Sequence, residues 1–213
     1  MLERYILIVD DNPNVKSVHI PAYLSKITEL KESSLKWSQY EFKLIHKLSM
    51  KDAISYLSIS ENYVDVLVVD FDFNGEKTFP NGAAFVKHIR EKVNRYCQII
   101  FYTMQEIGSI SKLDLVELIN SDVYKLVDKS TEASEMGQII FEAASRRNPI
   151  VESLEHFFID YSTMLQAYRY TFNGKDVTLD EIINHIRMDD AQGRFLVDKL
   201  LQKAILLDTD VKA

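Results

Sequence analysis

The chain has 213 residues, 46% of them hydrophobic and 27% charged, with 25 Lys and Arg against 32 Asp and Glu for a formal net charge of −7. That length fits one large domain, or a medium domain and a small one. The acidic balance argues against a broad, sequence-independent grip on nucleic acid or on an anionic membrane surface. A single cysteine, Cys97, cannot form an internal disulfide, which fits a reducing, cytoplasmic location.

The N-terminus reads MLERYILIVDDN. Its apolar run spans about five residues and stops at two aspartates, which suits neither a signal peptide nor a membrane span. The segment Tyr5 to Val9 is instead short, apolar and β-branched, as a buried strand requires. Residues 14–32 carry helical spacing at Val15, Val18, Ile20, Leu24, Ile27 and Leu30, and Pro21 is expected to kink or break that helix. A polar stretch at 31–40 reads as a helix end and loop. A strand is expected at 42–48, a helix at 50–58 and a second buried strand, DVLVVD, at 65–70. Asn74–Gly75 and Pro80–Asn81–Gly82 are turn signals. A helix at 82–93, the strand QIIFYT at 98–103, a helix at 110–120, a short strand at 123–128 and a helix at 131–147 complete the series.

Five strands alternating with five helices over about 147 residues predict an α/β fold, a doubly wound five-stranded parallel sheet with helices on both faces. Asn148–Pro149 marks a boundary, giving one domain over 1–147 and a second over 148–213. The second reads as small and mostly α-helical. It has a helix from Val151 to Gln166, a turn at Asn173–Gly174, a capping box at Thr178 to Glu181 and a last helix begun by Asp189 or Asp190.

In an open parallel sheet, ligands gather beyond the carboxyl ends of the strands. There the first strand delivers Asp10 and Asp11, the third Asp70 with Asp72 two residues on, the fourth Thr103 and the fifth Lys129. Crowded carboxylates repel and raise one another's pKa, and a hard divalent cation relieves that repulsion. Oxygen ligands with waters to spare suit Mg2+. A carboxylate beside such an ion can act as a nucleophile, and an ammonium and a hydroxyl can then steady the transferred oxygens. Blander readings stand beside these. The acid pair could cap the following helix, Thr103 could be a β-former, Lys129 a surface lysine and Asp72 a solvated loop acid. Asp72 could also position a water against the bond formed at that nucleophile.

The segments YILIVDDNPN, DVLVVD, QIIFYT and VDKS together resemble the receiver domain of two-component response regulators. The resemblance covers about residues 1–147. It implies a flavodoxin-like receiver fold, with Asp70 as phosphoacceptor and Asp11, Asp70 and the backbone carbonyl of Asp72 as Mg2+ ligands supported by Asp10. It further implies Thr103 as the hydroxyl that meets the phosphoryl group and Lys129 as its ion-pair partner. The implied donor is a phosphohistidine on a histidine kinase or phosphorelay protein. The chain would be no enzyme beyond phosphorylating and dephosphorylating itself. Three positions depart from the family's habit: Met104 replaces a small residue, Ser130 a proline, and Leu126 an aromatic that has only Tyr124 nearby.

Beyond residue 148, seven Lys and Arg face eleven Asp and Glu, which disfavours a DNA-binding output. The side chains Phe157, Phe158, Tyr161, Leu165, Tyr168 and Tyr170 are expected to form mostly core, with some left to dock on an unidentified protein target. His185 falls off the apolar face of Leu179, Ile182, Ile183 and Ile186 and reads as an exposed helix residue. The leading expectation is a phosphorylation-driven response regulator. The alternative is a degenerate receiver that binds proteins without phosphorylation, and a DNA-binding regulator ranks behind both. A homodimer is left open.

Overall fold

The computed structural model describes residues 2–208 apart from 34, 36, 39, 74–76, 105–107, 109, 147, 148, 167–169 and 173. The expected turn at Asn74–Gly75, residue Tyr168 and part of the 148 boundary and of the 173–174 turn lie outside the described residues. The chain divides into two compact units, residues 1–90 with 97–147, and residues 91–96 with 148–213. The segment 91–96, read from the sequence as a helix end and a loop of the first domain, groups with the second unit.

In the first unit, strands β1 (Leu2–Val9), β2 (Tyr40–Lys47), β3 (Val66–Asp70), β4 (Gln98–Thr103) and β5 (Lys125–Asp128) alternate with helices. These are α1 (Ile20–Glu32), α2 (Met50–Leu57), α3 (Gly82–Lys92), α4 (Lys112–Asn120) and α5 (Ala133–Ala144). All four strand pairings are parallel, and the order is β2-β1-β3-β4-β5. That is the 2-1-3-4-5 order of flavodoxin-like doubly wound sheets, in which the site lies where the winding reverses, between β1 and β3.

The inner strands are apolar on both faces because helices cover both, while the edge strands β2 and β5 carry polar residues. Ile6, Ile8, Val66, Val68, Ile100, Tyr102 and Val127 pack with Ile27 of α1 and Met136, Ile139, Ile140 and Ala143 of α5. The alternate strand residues Leu7, Val9, Leu67, Val69, Ile99 and Phe101 are also fully buried, as are Phe85, Val86 and Ile89 of α3. Each fully buried aliphatic or phenyl side chain contributes about 1.5–3 kcal/mol, which commits the strands to one register.

Three local features refine the sequence reading. The helix expected from residue 14 begins as a π-helical turn, Val15–His19, and becomes α-helical at Ile20. Pro21 lies in the first turn of α1, directly after the π-helical turn, where a change of winding rather than a break accommodates it. The polar stretch 31–40 is pinned by Trp37, which is 8% exposed and meets Tyr40 and Phe141 at ring-centroid distances of 4.8 and 5.5 Å. Below it, Arg4 pairs with Asp65 at 3.2 Å, and its guanidinium lies 4.7 Å from the Tyr40 ring centroid. Both charges are almost wholly buried, so each depends on the other.

The second unit contains α6 (Pro149–Asp160), α7 (Ser162–Leu165), strands β6 (Tyr170–Phe172) and β7 (Lys175–Val177), α8 (Leu179–Met188) and α9 (Ala191–Asp208). The expected single helix over 151–166 is interrupted at Tyr161, and β6 and β7 pair antiparallel around Gly174, whose φ of 76° suits the turn. Phe158, Leu165, Leu179, Ile182, Ile183 and Ile186 form the core. Phe157 and Tyr161 are about half exposed and pack on each other with ring centroids 5.0 Å apart. Of the described side chains in the aromatic run, Phe158 and Leu165 are in the core, and Phe157 and Tyr161 are not. The Thr178–Glu181 capping box starts α8, and Asp189 closes it with φ of 48°. Asp190 then caps α9 by accepting from the Gly193 N–H at 2.8 Å and pairs with His185 at 2.6 Å. A Cβ on Gly193 would meet the His185 carbonyl oxygen at 2.0 Å, so the close crossing of α9 over α8 requires glycine.

Candidate functional site

Strand register brings the predicted site residues together. Val9 lies opposite Val69, so Asp10 and Asp70 leave adjacent strands side by side. Asp70 lies opposite Tyr102, and Thr103 opposite Asp128, so Thr103 and Lys129 follow on the next two strands. The Lys129 N–H donates to the Thr103 carbonyl at 2.8 Å, which continues the ladder past β5 and fixes where the lysine departs. Apolar, β-branched runs make these strands, and polar residues at their last positions end them at the rim.

Carboxylate oxygens of Asp10, Asp11 and Asp70 lie within 4.8 Å of one another. Asp10 is completely buried, Asp70 is 3% exposed and Asp11 is half-buried, so the cluster opens to solvent on one side. The Lys129 ammonium donates to Asp70 Oδ2 at 2.6 Å and lies 3.1 Å from Asp10 Oδ2. Burial pushes the Asp70 carboxyl up to about 6, although Lys129 pulls it down. Burial also works against the charged Lys129, but Asp70 and Asp10 outweigh it and hold the ammonium above its ordinary pKa. Thr103 is fully buried at the end of β4.

Asp72 stands just beyond β3 with its side chain exposed, and its backbone N–H bonds to the Asp70 carboxylate. Gly82 is held against this loop: its N–H donates to the Phe71 carbonyl at 2.9 Å, and a Cβ there would meet the Asp70 carbonyl oxygen at 2.1 Å. Met104 is 74% exposed and turns its bulk to solvent. The Ser130 side chain, and then its N–H donating to Asp128 at 2.7 Å, hold that carboxyl below its ordinary pKa. Leu126 is half-buried in β5. Tyr124 is turned toward α5: its hydroxyl lies 3.4 Å from Glu142, and the Arg146 guanidinium lies 4.8 Å from its ring centroid.

Two residues at the site carried no role in the sequence reading. The Tyr102 hydroxyl donates to Asp10 Oδ2, and His46 Nε2 lies 2.8 Å from the Asp10 carbonyl oxygen. Burial, with the Asp10 charge beside it, raises the Tyr102 phenol well above its ordinary pKa. A hydroxyl one residue before the strand-end threonine was the available signal, but its partner stands 92 residues away.

No family model matches the sequence, and no curated protein matches it. Solved structures that resemble it include the BeF3-activated DrrB receiver domain, at 15% identity and TM-score 0.47, covering 68% of this chain and all of that one. A response regulator receiver domain protein from Clostridium thermocellum aligns at 15% identity and TM-score 0.46, over 67% of this chain and 95% of that one. A CheY-like receiver domain protein from Methanospirillum hungatei aligns at 16% identity and TM-score 0.43, over 68% and 95%. By its all-parallel 2-1-3-4-5 strand order and flanking helices, the first unit has a flavodoxin-like, doubly wound fold. Among the described residues, no helix of this chain is long and apolar enough to cross a membrane.

Proposed function

We propose that the receiver unit accepts a phosphoryl group on Asp70 from a phosphohistidine donor and so acts as the switch of a two-component or phosphorelay system. The observation that carries this reading is the grouping of three carboxylates with a lysine that bridges two of them. A structural ion pair needs one acid. Three at one strand edge, one fully buried, form a site that a hard, oxygen-preferring cation would complete.

The carboxylate set fits Mg2+: Asp11 and Asp70 would hold it, with Asp10 beside them. When bound, Mg2+ would neutralise the acids and offset negative charge on phosphoryl oxygens. The chain's own groups account for the rest. An Asp70 oxygen forms the new bond to phosphorus as the phosphorus–nitrogen bond of the donor breaks. The departing imidazole keeps that electron pair and takes up a proton. Lys129, already 2.6 Å from Asp70, orients the nucleophile and then pairs with the transferred group. Thr103, at the end of the next strand, supplies the hydroxyl that the new phosphoryl oxygens can engage. Phosphorylation would then bias a two-state equilibrium that the second unit relays to a protein target.

The test is intact-mass measurement after incubation with Mg2+ and phosphoramidate, a small donor carrying a phosphorus–nitrogen bond. A gain of one phosphoryl group in the wild type, absent in Asp70→Asn and from EDTA-treated protein, supports the reading. No gain at saturating donor overturns it.

A further inference from the structure

We propose that Tyr102 is a positioning residue of this site: its hydroxyl fixes Asp10 and its ring backs Lys129, so the cation affinity of the carboxylate cluster depends on a side chain that is not one of its ligands. The inference rests on the phosphoacceptor reading and adds to it a residue which that reading does not contain.

Asp10 is completely buried, and a buried carboxylate persists only where its oxygens are satisfied. Oδ1 accepts the Asn12 backbone N–H at 2.7 Å. Oδ2 accepts the Tyr102 hydroxyl and lies 3.1 Å from Lys129 Nζ. The tyrosine is therefore one of two groups that hold the oxygen turned toward Lys129. It also touches the second group, because Lys129 Nζ lies 5.1 Å from the Tyr102 ring centroid. One side chain thus braces both the acid and the cation that Asp70 depends on.

Packing alone does not ask for tyrosine here. Tyr102 is 6% exposed, shares a sheet face with Ile100 and Val127, and belongs to the same core as Tyr23 and Met136, where a phenylalanine would bury the same ring. The hydroxyl is the part that packing leaves unexplained, and Asp10 is its partner. Without it, Oδ2 would keep only Lys129. The ammonium, now shared between Asp70 at 2.6 Å and Asp10 at 3.1 Å, would be drawn toward Asp10. Asp10 would lose a fixed orientation, and Asp70 part of its grip. Groups that orient carboxylates around a metal typically account for a 10–100-fold change in affinity, and roughly tenfold is expected for a single neutral hydrogen bond.

The experiment titrates the full chain with Mg2+ alone, by calorimetry, in the wild type, Tyr102→Phe, Asp10→Asn and the double variant. Tyr102→Phe should weaken Mg2+ binding about tenfold while keeping the ring, with circular dichroism showing the fold intact. If the tyrosine acts through Asp10, the double variant should bind no more weakly than Asp10→Asn. Additive losses would show a packing role and overturn the proposal, as would equal affinity in the wild type and Tyr102→Phe. A second readout covers a Phe variant that fails to fold. The buried hydroxyl proton of Tyr102 should give a slowly exchanging proton resonance that shifts when Mg2+ is added to the wild type, and a resonance unmoved by Mg2+ would overturn the proposal. Failure of the wild type to bind Mg2+ at all would sink the phosphoacceptor reading, and this inference with it.

Discussion

Replacing Asp70 by Asn should stabilise the metal-free protein above pH 6. In the folded state, burial raises the Asp70 carboxyl from 3.8 to about 6, against the pull of Lys129. The sign follows from proton counting. Between about pH 4 and 6 the folded chain holds a proton at Asp70 that the unfolded chain has lost. Stability therefore falls as pH rises through that window and stays lower above it. About two pH units at about 1.4 kcal/mol each give a cost of about 3 kcal/mol for ionised Asp70 above pH 6. The Asn variant removes that cost but leaves Lys129 with Asp10 as its remaining carboxylate, so a net gain of roughly 1–3 kcal/mol is expected. Urea unfolding in EDTA, at half-unit steps from pH 4 to 8, would measure it. The gap between Asp70→Asn and wild type should be near zero at pH 4 and open through pH 6. Millimolar Mg2+ should close it by stabilising the wild type alone. A constant gap across this range, or a less stable Asn variant at pH 8, would refute the reasoning.

Other consequences reach different parts of the chain. Gly82→Ala would drive a Cβ to 2.1 Å from the Asp70 carbonyl oxygen, so it should cost about 1–3 kcal/mol or more and slow phosphoryl uptake, read by thermal melts and intact mass. Asp65→Ala should cost about 3–5 kcal/mol in urea titrations, because it leaves the buried Arg4 guanidinium without its carboxylate and removes the acceptor of the Tyr5 N–H. Thr178→Ala breaks the capping box of α8 and should cost about 1 kcal/mol, seen as faster hydrogen exchange of the α8 amides while β1 and β3 stay protected.

The grouping of the candidate residues was legible in the sequence because Asp10, Asp70 and Thr103 end strands that are apolar on both faces, while Lys129 follows the short, partly exposed edge strand beside them. Parallel pairing brings all four to one rim. The departures arise where a local pattern meets a distant partner. Pro21 reads as a breaker, yet the chain passes it by a π-helical turn and stays helical. Tyr102 reads as strand filler because Asp10, which its hydroxyl meets, is on another strand far back in the chain. Helical spacing over 151–166 gave no sign of the interruption at Tyr161, and nothing in the residues 91–96 marks them as belonging with the C-terminal helices. Met104 replaces a small residue beside Thr103, yet the chain bends there and its side chain is exposed.

The central claim is that Asp70 itself takes the phosphoryl group, and its direct test is chemical trapping. Borohydride reduces an acyl phosphate to the alcohol, converting a phosphorylated aspartate to homoserine. After incubation with Mg2+ and phosphoramidate, reduction and peptide mass mapping should place homoserine at position 70 and nowhere else. Homoserine at position 11 or 72 instead, or none at saturating donor, would contradict the account.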